Sequence, residues 1–136
     1  MDIISFTLNA LIVIGLARLI GFEREYRGKV AGIRTHMIVA LAAYLFTVTA
    51  LSYFDKQDAA RIIANILVGM GFIGAGVIIK EENRVIGVTT AATLWFSAAI
   101  GAAIGLGFVE FSIISTLIVL ILLLIKSLER KLIHGS

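Results

Sequence analysis

Five apolar stretches, each close to the length of a lipid-spanning helix, follow one another with only short polar breaks, and few folds accommodate that pattern. They cover residues 3–22, 36–54, 62–79, 85–106 and 111–125. A helix needs about 20 apolar residues to cross the hydrocarbon core. Backbone amides in lipid must be satisfied within their own segment, so helices are expected. Barrel strands would alternate in polarity, and these stretches do not. Composition agrees: 60% of the chain is hydrophobic and 15% charged, against roughly half and a quarter in soluble domains. A chain of 136 residues cannot hide that excess in one small core. The expected fold is an all-α integral membrane protein, a single transmembrane domain built as a bundle of five helices with the bilayer as solvent. The lack of Pro and the 13 Gly suit unbroken helices packed closely through small residues.

The N-terminus carries Asp2 and no basic region, so it reads as a retained span and not as a cleavable signal. With five crossings, one face of the membrane holds Arg24, Arg27, Lys29, Arg34, Lys80, Arg84, Lys126, Arg130 and Lys131, with Arg18 about one turn inside it. The other face holds only Lys56 and Arg61. The positive-inside rule then predicts an outside N-terminus and a cytoplasmic C-terminus. Four or six crossings would put the basic tail opposite the basic first connection. Asp58 is expected to cap the third helix, and Lys80-Glu81-Glu82-Asn83-Arg84 to form a tight polar turn.

The densest charge lies in the first connection, from Gly21 to His36. If the first helix continues past the membrane, Arg18 and Glu25 stand two turns apart on one face, and Glu23 and Arg27 form an i,i+4 pair. Gly28 and Gly32 offer places to end the helix and turn. Glu23, Arg24, Glu25 and Arg34, with the adjacent Thr35, then cluster at one end of the bundle. Two readings are open: an interfacial cluster that fixes depth and topology, or a polar site between helices that binds an ion or a partner. Arg18, the deepest basic residue, either snorkels to the interface or is paired. Glu110 marks an interface.

The third span carries Gly69-Met70-Gly71-Phe72-Ile73-Gly74-Ala75-Gly76. It is no nucleotide loop, since it lies mid-span without a Lys-Ser/Thr ending. Close helix packing is the expectation, and a distorted helix lining a polar cavity the alternative. Asn65 is the polar candidate for a cross-helix bond, and Arg61 shares its face beside Asp58. The fourth span opens with Thr89-Thr90, whose hydroxyls are expected to bond back to their own helix. Its small residues Ala91, Ala98, Gly101, Ala102 and Gly105 predict a tightly packed helix pair, and mid-span Trp95 is expected inside the bundle.

Several chemistries are excluded or disfavoured. The chain has no Cys, hence no disulfide or thiolate chemistry. Its two His, His36 and His134, belong to no Ser-His-Asp set and no His-Glu-x-x-His motif, and paired intramembrane carboxylates are missing. Arg24 and Arg27 beside Glu23 and Glu25 argue against a divalent-cation site. No cofactor motif appears, and no aromatic-interleaved basic face suits nucleic acid. Neither a cofactor nor a metal nor a nucleic-acid partner is expected.

Three blocks carry a resemblance. They are Gly21-Phe22-Glu23-Arg24-Glu25 with Ala31-Gly32-Ile33-Arg34-Thr35-His36; Arg61-Ile62-Ile63-Ala64-Asn65 leading to the glycine run 69–76; and Gly87-Val88-Thr89-Thr90-Ala91-Ala92-Thr93-Leu94-Trp95. In order and spacing the chain resembles the MgtC/SapB family of bacterial membrane proteins over essentially its whole length. It departs in having Asp58-Ala59-Ala60-Arg61 where the family usually has Asp-Pro-x-Arg, and some members have Asn at the position of Thr89. Many members also continue into a soluble ACT-like domain, for which the tail after Lys126 is too short. The resemblance implies a bacterial inner-membrane protein linked to adaptation to low magnesium, acid or a host environment, with inhibition of the proton-translocating ATP synthase as one mechanism. The magnesium transport implied by older naming finds no acidic pore ring here.

The expected function is a non-enzymatic regulator that binds another membrane protein. The alternative is a small-solute or cation transporter or channel with a polar site between helices. Leftover small-residue faces predict a homodimer. Because the chain has no native Cys, single-cysteine variants test the layout directly. Lys29→Cys and Lys131→Cys are expected to label from one side of the membrane and Lys56→Cys from the other. Labelling of positions 29 and 131 from opposite sides would overturn five crossings.

Overall fold

The computed structural model describes residues 2–82 and 84–133, and over 126–133 the backbone alone. The chain forms α1 (Ile3–Tyr26), α2 (Ile33–Tyr53), α3 (Lys56–Gly76), a hairpin of β1 (Ile79–Glu81) and β2 (Arg84–Ile86), α4 (Val88–Gly105) and α5 (Val109–Ile133). The helices α1 to α4 are long and apolar enough to cross a membrane, and α5 is apolar over Val109–Ile125. The basic tail residues Lys126, Arg130 and Lys131 continue α5 as backbone, while Asn83 and His134 lie outside the described residues.

Local chemistry sets the helix limits. Asp2 starts α1 by accepting from the Ser5 N–H at 2.6 Å, and that bond holds its carboxyl below the usual carboxylate range. The helix then runs to Tyr26, beyond the expected end of its apolar stretch. It closes with the Lys29 N–H donating to the Arg24 carbonyl and the Gly28 N–H to that of Glu25. This six-to-one, five-to-two closure needs a left-handed residue, which Gly28 supplies at φ +62°. Asp58 does not cap α3. Asp55 does, accepting from Gln57 and Asp58 N–H at 2.8 and 3.0 Å. A capping oxygen must sit immediately before the first turn, and the polar connection between α2 and α3 is shorter than its composition suggests.

The third helix also ends earlier than expected, at Gly76, and the following polar turn is an antiparallel hairpin. Ile79 pairs with Ile86, Lys80 with Val85 and Glu81 with Arg84. The β-branched Ile79, Val85 and Ile86 favour extended backbone.

Two cores hold the bundle. Val13, Ala17 and Ile20 of α1 pack with Ala40 and Tyr44 of α2, Ile100 and Ile104 of α4, and Leu123 of α5. The second core joins Val39 and Ala43 of α2, Met70 of α3, and Leu94 and Ala98 of α4 with Ala31. Tyr44 is fully buried; its ring lies 5.3 Å from that of Phe6, and its hydroxyl donates to the Phe6 carbonyl at 3.2 Å. The tight helix pair expected for the fourth span is α4 against α2. A Cβ on Gly101 would stand 2.0 Å from the Ala40 carbonyl oxygen, and one on Gly105 2.7 Å from Thr47.

The glycine run of α3 behaves otherwise, correcting the expectation of close packing within the bundle. Only Gly74 approaches a neighbour, with its Cβ position 3.5 Å from Ala91, while Gly69, Gly71 and Gly76 face empty space. Trp95 is likewise not inside the bundle; it is 45% exposed, because its neighbour Leu94 takes the inward position on α4. Gly101→Ala is therefore expected to destabilise the fold by about 3 kcal/mol through overpacking. Gly69→Ala should cost nothing and gain up to about 1 kcal/mol of helix propensity. Thermal unfolding in detergent micelles, followed by circular dichroism, compares the two.

Candidate functional site

One end of the bundle gathers the end of α1, the first connection, the hairpin and the start of α4. The i,i+4 pair expected of Glu23 and Arg27 forms, and Glu23 also binds Arg24. Glu23 and Arg24 are both buried. A charge can be buried when a partner and hydrogen bonds replace its water. Here one carboxylate serves two guanidinium groups, and Arg27 remains half-buried.

Glu25 does different work. Gly32 precedes α2 and has no side chain with which to cap it. The Glu25 carboxylate reaches across instead and accepts from the Ile33 N–H at 2.9 Å. A negative group at a helix N-terminus meets both the unpaired donors and the positive end of the dipole. Gly21 lets the two helices meet there: a Cβ on it would stand 2.6 Å from the Ile33 Cα.

His36, in the first turns of α2, is fully buried. Its Nδ1 lies 2.8 Å from the Gly32 carbonyl oxygen and its Nε2 3.1 Å from Thr93 Oγ1. A carbonyl only accepts, so Nδ1 carries hydrogen in that bond. The imidazole thus ties α2 to α4, a role that the sequence alone did not assign to it.

Beside this cluster lies a cavity of about 470 Å³, lined by Arg24, Arg27 and Lys29, by Val85 to Thr90, and by Leu123. The contribution of Leu123 shows that α5 runs back to the end where α1 finishes. The start of α4 forms one wall. Gly87 is its N-cap, at φ +88°, and no side chain caps it. A Cβ on Gly87 would stand 1.8 Å from the Val77 carbonyl oxygen, so the end of α3 and the start of α4 meet tightly at the base of the hairpin.

The remaining candidate residues are distributed as follows. Thr90 is buried and Thr89 half-buried, both on the cavity wall. Arg18 is exposed on α1 and pairs with no described residue, as a snorkelling side chain would be. Arg34 and Thr35 are exposed in the first turn of α2. Asp58 and Arg61 form an exposed pair at 3.6 Å near the start of α3, at the other end of the bundle. Asn65 is exposed on α3, beside an apolar groove of about 540 Å³ between α2 and α3. The structure brings Arg24 to Thr89 and Thr90 and adds Arg27 and Lys29. It does not bring Arg18, Arg34, Arg61 or Asn65 to that cavity. Among the described residues no group of three His, Asp or Glu is placed to hold a metal.

The two carboxylates of α1 should differ sharply on removal. Glu23→Ala leaves Arg24 buried without its partner and is expected to cost about 3–5 kcal/mol. Glu25→Ala removes an exposed cap and should cost about 1 kcal/mol, with Glu25→Gln restoring most of it. Equilibrium unfolding in mixed micelles measures both.

Comparison with known proteins agrees with the architecture. The family model described as the MgtC family matches residues 10–131. The chain is similar to Protein MgtC of Brucella abortus, 40% identical over 119 residues, covering 88% of this chain and 49% of that protein. It is also similar to Protein MgtC of Salmonella typhimurium, 43% identical over 115 residues, covering 85% and 49%. The chain thus spans about half the length of the relatives it matches. No solved structure matches it. With a family match over most of its length and its span-length apolar helices, the chain is a multi-pass membrane protein that belongs to the MgtC family.

Proposed function

We propose that the protein is a non-enzymatic regulator in the bacterial inner membrane that acts by binding a transmembrane helix of another membrane protein. The observation that carries this is an uncovered face of α3, on which Asn65 and Gly69 border the groove toward α2. Asn65, Gly69, Phe72 and Gly76 fall three, four or seven residues apart, so they share one side of the helix. Phe72 is 86% exposed, Gly69 and Gly76 have nothing against them, and the Asn65 amide bonds to no described residue. A glycine inside a helix costs about 1 kcal/mol relative to Ala, and packing within this chain does not offset it at Gly69. A second helix lying close against the backbone would do so, with the Asn65 amide adding a bond worth roughly 0.6–2 kcal/mol.

The resemblance to the MgtC/SapB family supports the same reading and points to the proton-translocating ATP synthase as one such partner. It also supports a role in adaptation to low magnesium, acid or a host environment. The count of Lys and Arg by side supports a cytoplasmic placement of the Glu23–Arg27 end. The apolar cores between the helices, filled by Val13, Ile20, Tyr44, Ile100 and Ile104, favour regulation over conduction through one copy of the chain.

A photo-crosslinking residue at position 72 tests the reading in intact membranes. The expected product is a discrete adduct to a second membrane protein, lost in Asn65→Leu and Gly69→Leu while insertion is unchanged. An adduct only to a further copy of this chain would replace the regulator by a homodimer. Adducts to lipid alone would overturn partner binding. In inverted vesicles, ATP-driven proton pumping unaffected by the protein would remove the ATP synthase as the partner.

A further inference from the structure

We propose that the cavity bounded by the end of α1, the hairpin and the start of α4 binds a phosphate group. The inference does not depend on the partner reading, since it concerns a different face of the molecule. It begins with charge. Arg24, Arg27 and Lys29 line the cavity, and Glu23 is the carboxylate that pairs with Arg24 and Arg27. Three cations less one anion leaves an excess of two positive charges. Glu25 and Glu81 are not among the lining residues: Glu25 accepts from the Ile33 N–H, and Glu81 pairs with Arg84. Lys29 pairs with no described residue.

The cations are held and not merely present. Arg24 has a side chain only 5% exposed, fixed by Glu23 from below, so its planar fork is pre-organised. Arg27 is fixed by the same carboxylate. The opposite wall is the start of α4, an 18-residue helix with no side-chain cap and no acidic residue in its first turn. The positive end of its dipole therefore opens onto the same space as the three cations. Thr89 and Thr90 add hydroxyl-bearing side chains to that wall.

An excess of two charges matches a phosphate monoester or inorganic phosphate better than a carboxylate. The volume lies in the roughly 300–1,000 Å³ range of small-ligand sites, which leaves room beyond the phosphate itself. Val85, Ile86, Val88 and Leu123 give the cavity an apolar border. That border would accept the start of an acyl-bearing headgroup, so the phosphate can come from a lipid or from solution.

The test uses the full chain in neutral-detergent micelles, titrated calorimetrically with inorganic phosphate at constant ionic strength. In parallel, nanodiscs of phosphatidylcholine with and without phosphatidic acid are compared by native mass spectrometry for retained lipid. Lys29→Gln removes an exposed, unpaired cation and should leave the fold intact; it is expected to weaken binding by about tenfold. Lys56→Gln, at the other end of the bundle, should change nothing. Saturable binding of inorganic phosphate that Lys29→Gln weakens supports a soluble anion. Retention of phosphatidic acid alone, weakened by the same substitution, supports a lipid headgroup. No binding of either, or binding that Lys29→Gln and Lys56→Gln reduce equally, overturns the site.

Discussion

In a bilayer the apolar surface of a helix gains little by meeting another apolar surface, because lipid tails are as oily as leucine. What holds such a bundle is close approach, and its main instance in this chain is α4 against α2. At Gly101 the α4 backbone comes so near the Ala40 carbonyl that no side chain fits between them. Gly105 repeats the approach one turn on, against Thr47. Around that contact α1 and α5 add their shares of the larger core, and α3 attaches on the other side through Met70 and Gly74. Half of the spanning window of α4 is buried, against 17% for α1 and α3, so α4 is the mast and the others lean on it.

The charged end obeys a different rule. Buried charge is tolerated only when its partners replace water, and Glu23 satisfies two arginines at once. This arrangement releases Glu25 to finish α2, whose glycine cap cannot do so itself. Four consecutive residues, Glu23 to Tyr26, therefore complete one helix, while the third residue on from Gly21 also builds the floor of a cavity. The basic residues that orient a membrane protein need not all be spent on headgroups.

Much of this was legible in the sequence, for physical reasons. Apolar length located the helices, and the spacing of Glu23 and Arg27 gave their pair. The small residues of α4 gave its tight contact with α2. The misreadings share a cause, because composition does not say which way a residue faces. The glycines of α3 look like those of α4, yet only Gly74 meets a neighbour. Trp95 and Leu94 are adjacent apolar residues, and rotation about the helix decides which is buried. Lys29 was counted for its charge, and only the fold of the connection around Gly28 sets it on the same cavity as Thr89. His36 gave no signal, since its partner Thr93 is 57 residues away.

The hairpin between α3 and α4 has a mechanical meaning. A loose loop would let a thinly packed helix swing on a string. Here the two strands are laddered over Ile79–Glu81 and Arg84–Ile86, and each passes almost at once into its helix. The pair acts as a clasp of fixed width. Helix α3 is thereby held at its C-terminal end by the ladder and at its N-terminal end by the two-residue joint Phe54–Asp55, with its flank left bare along the middle. A rod pinned at both tips can present an uncovered side to the membrane without drifting away from its own bundle.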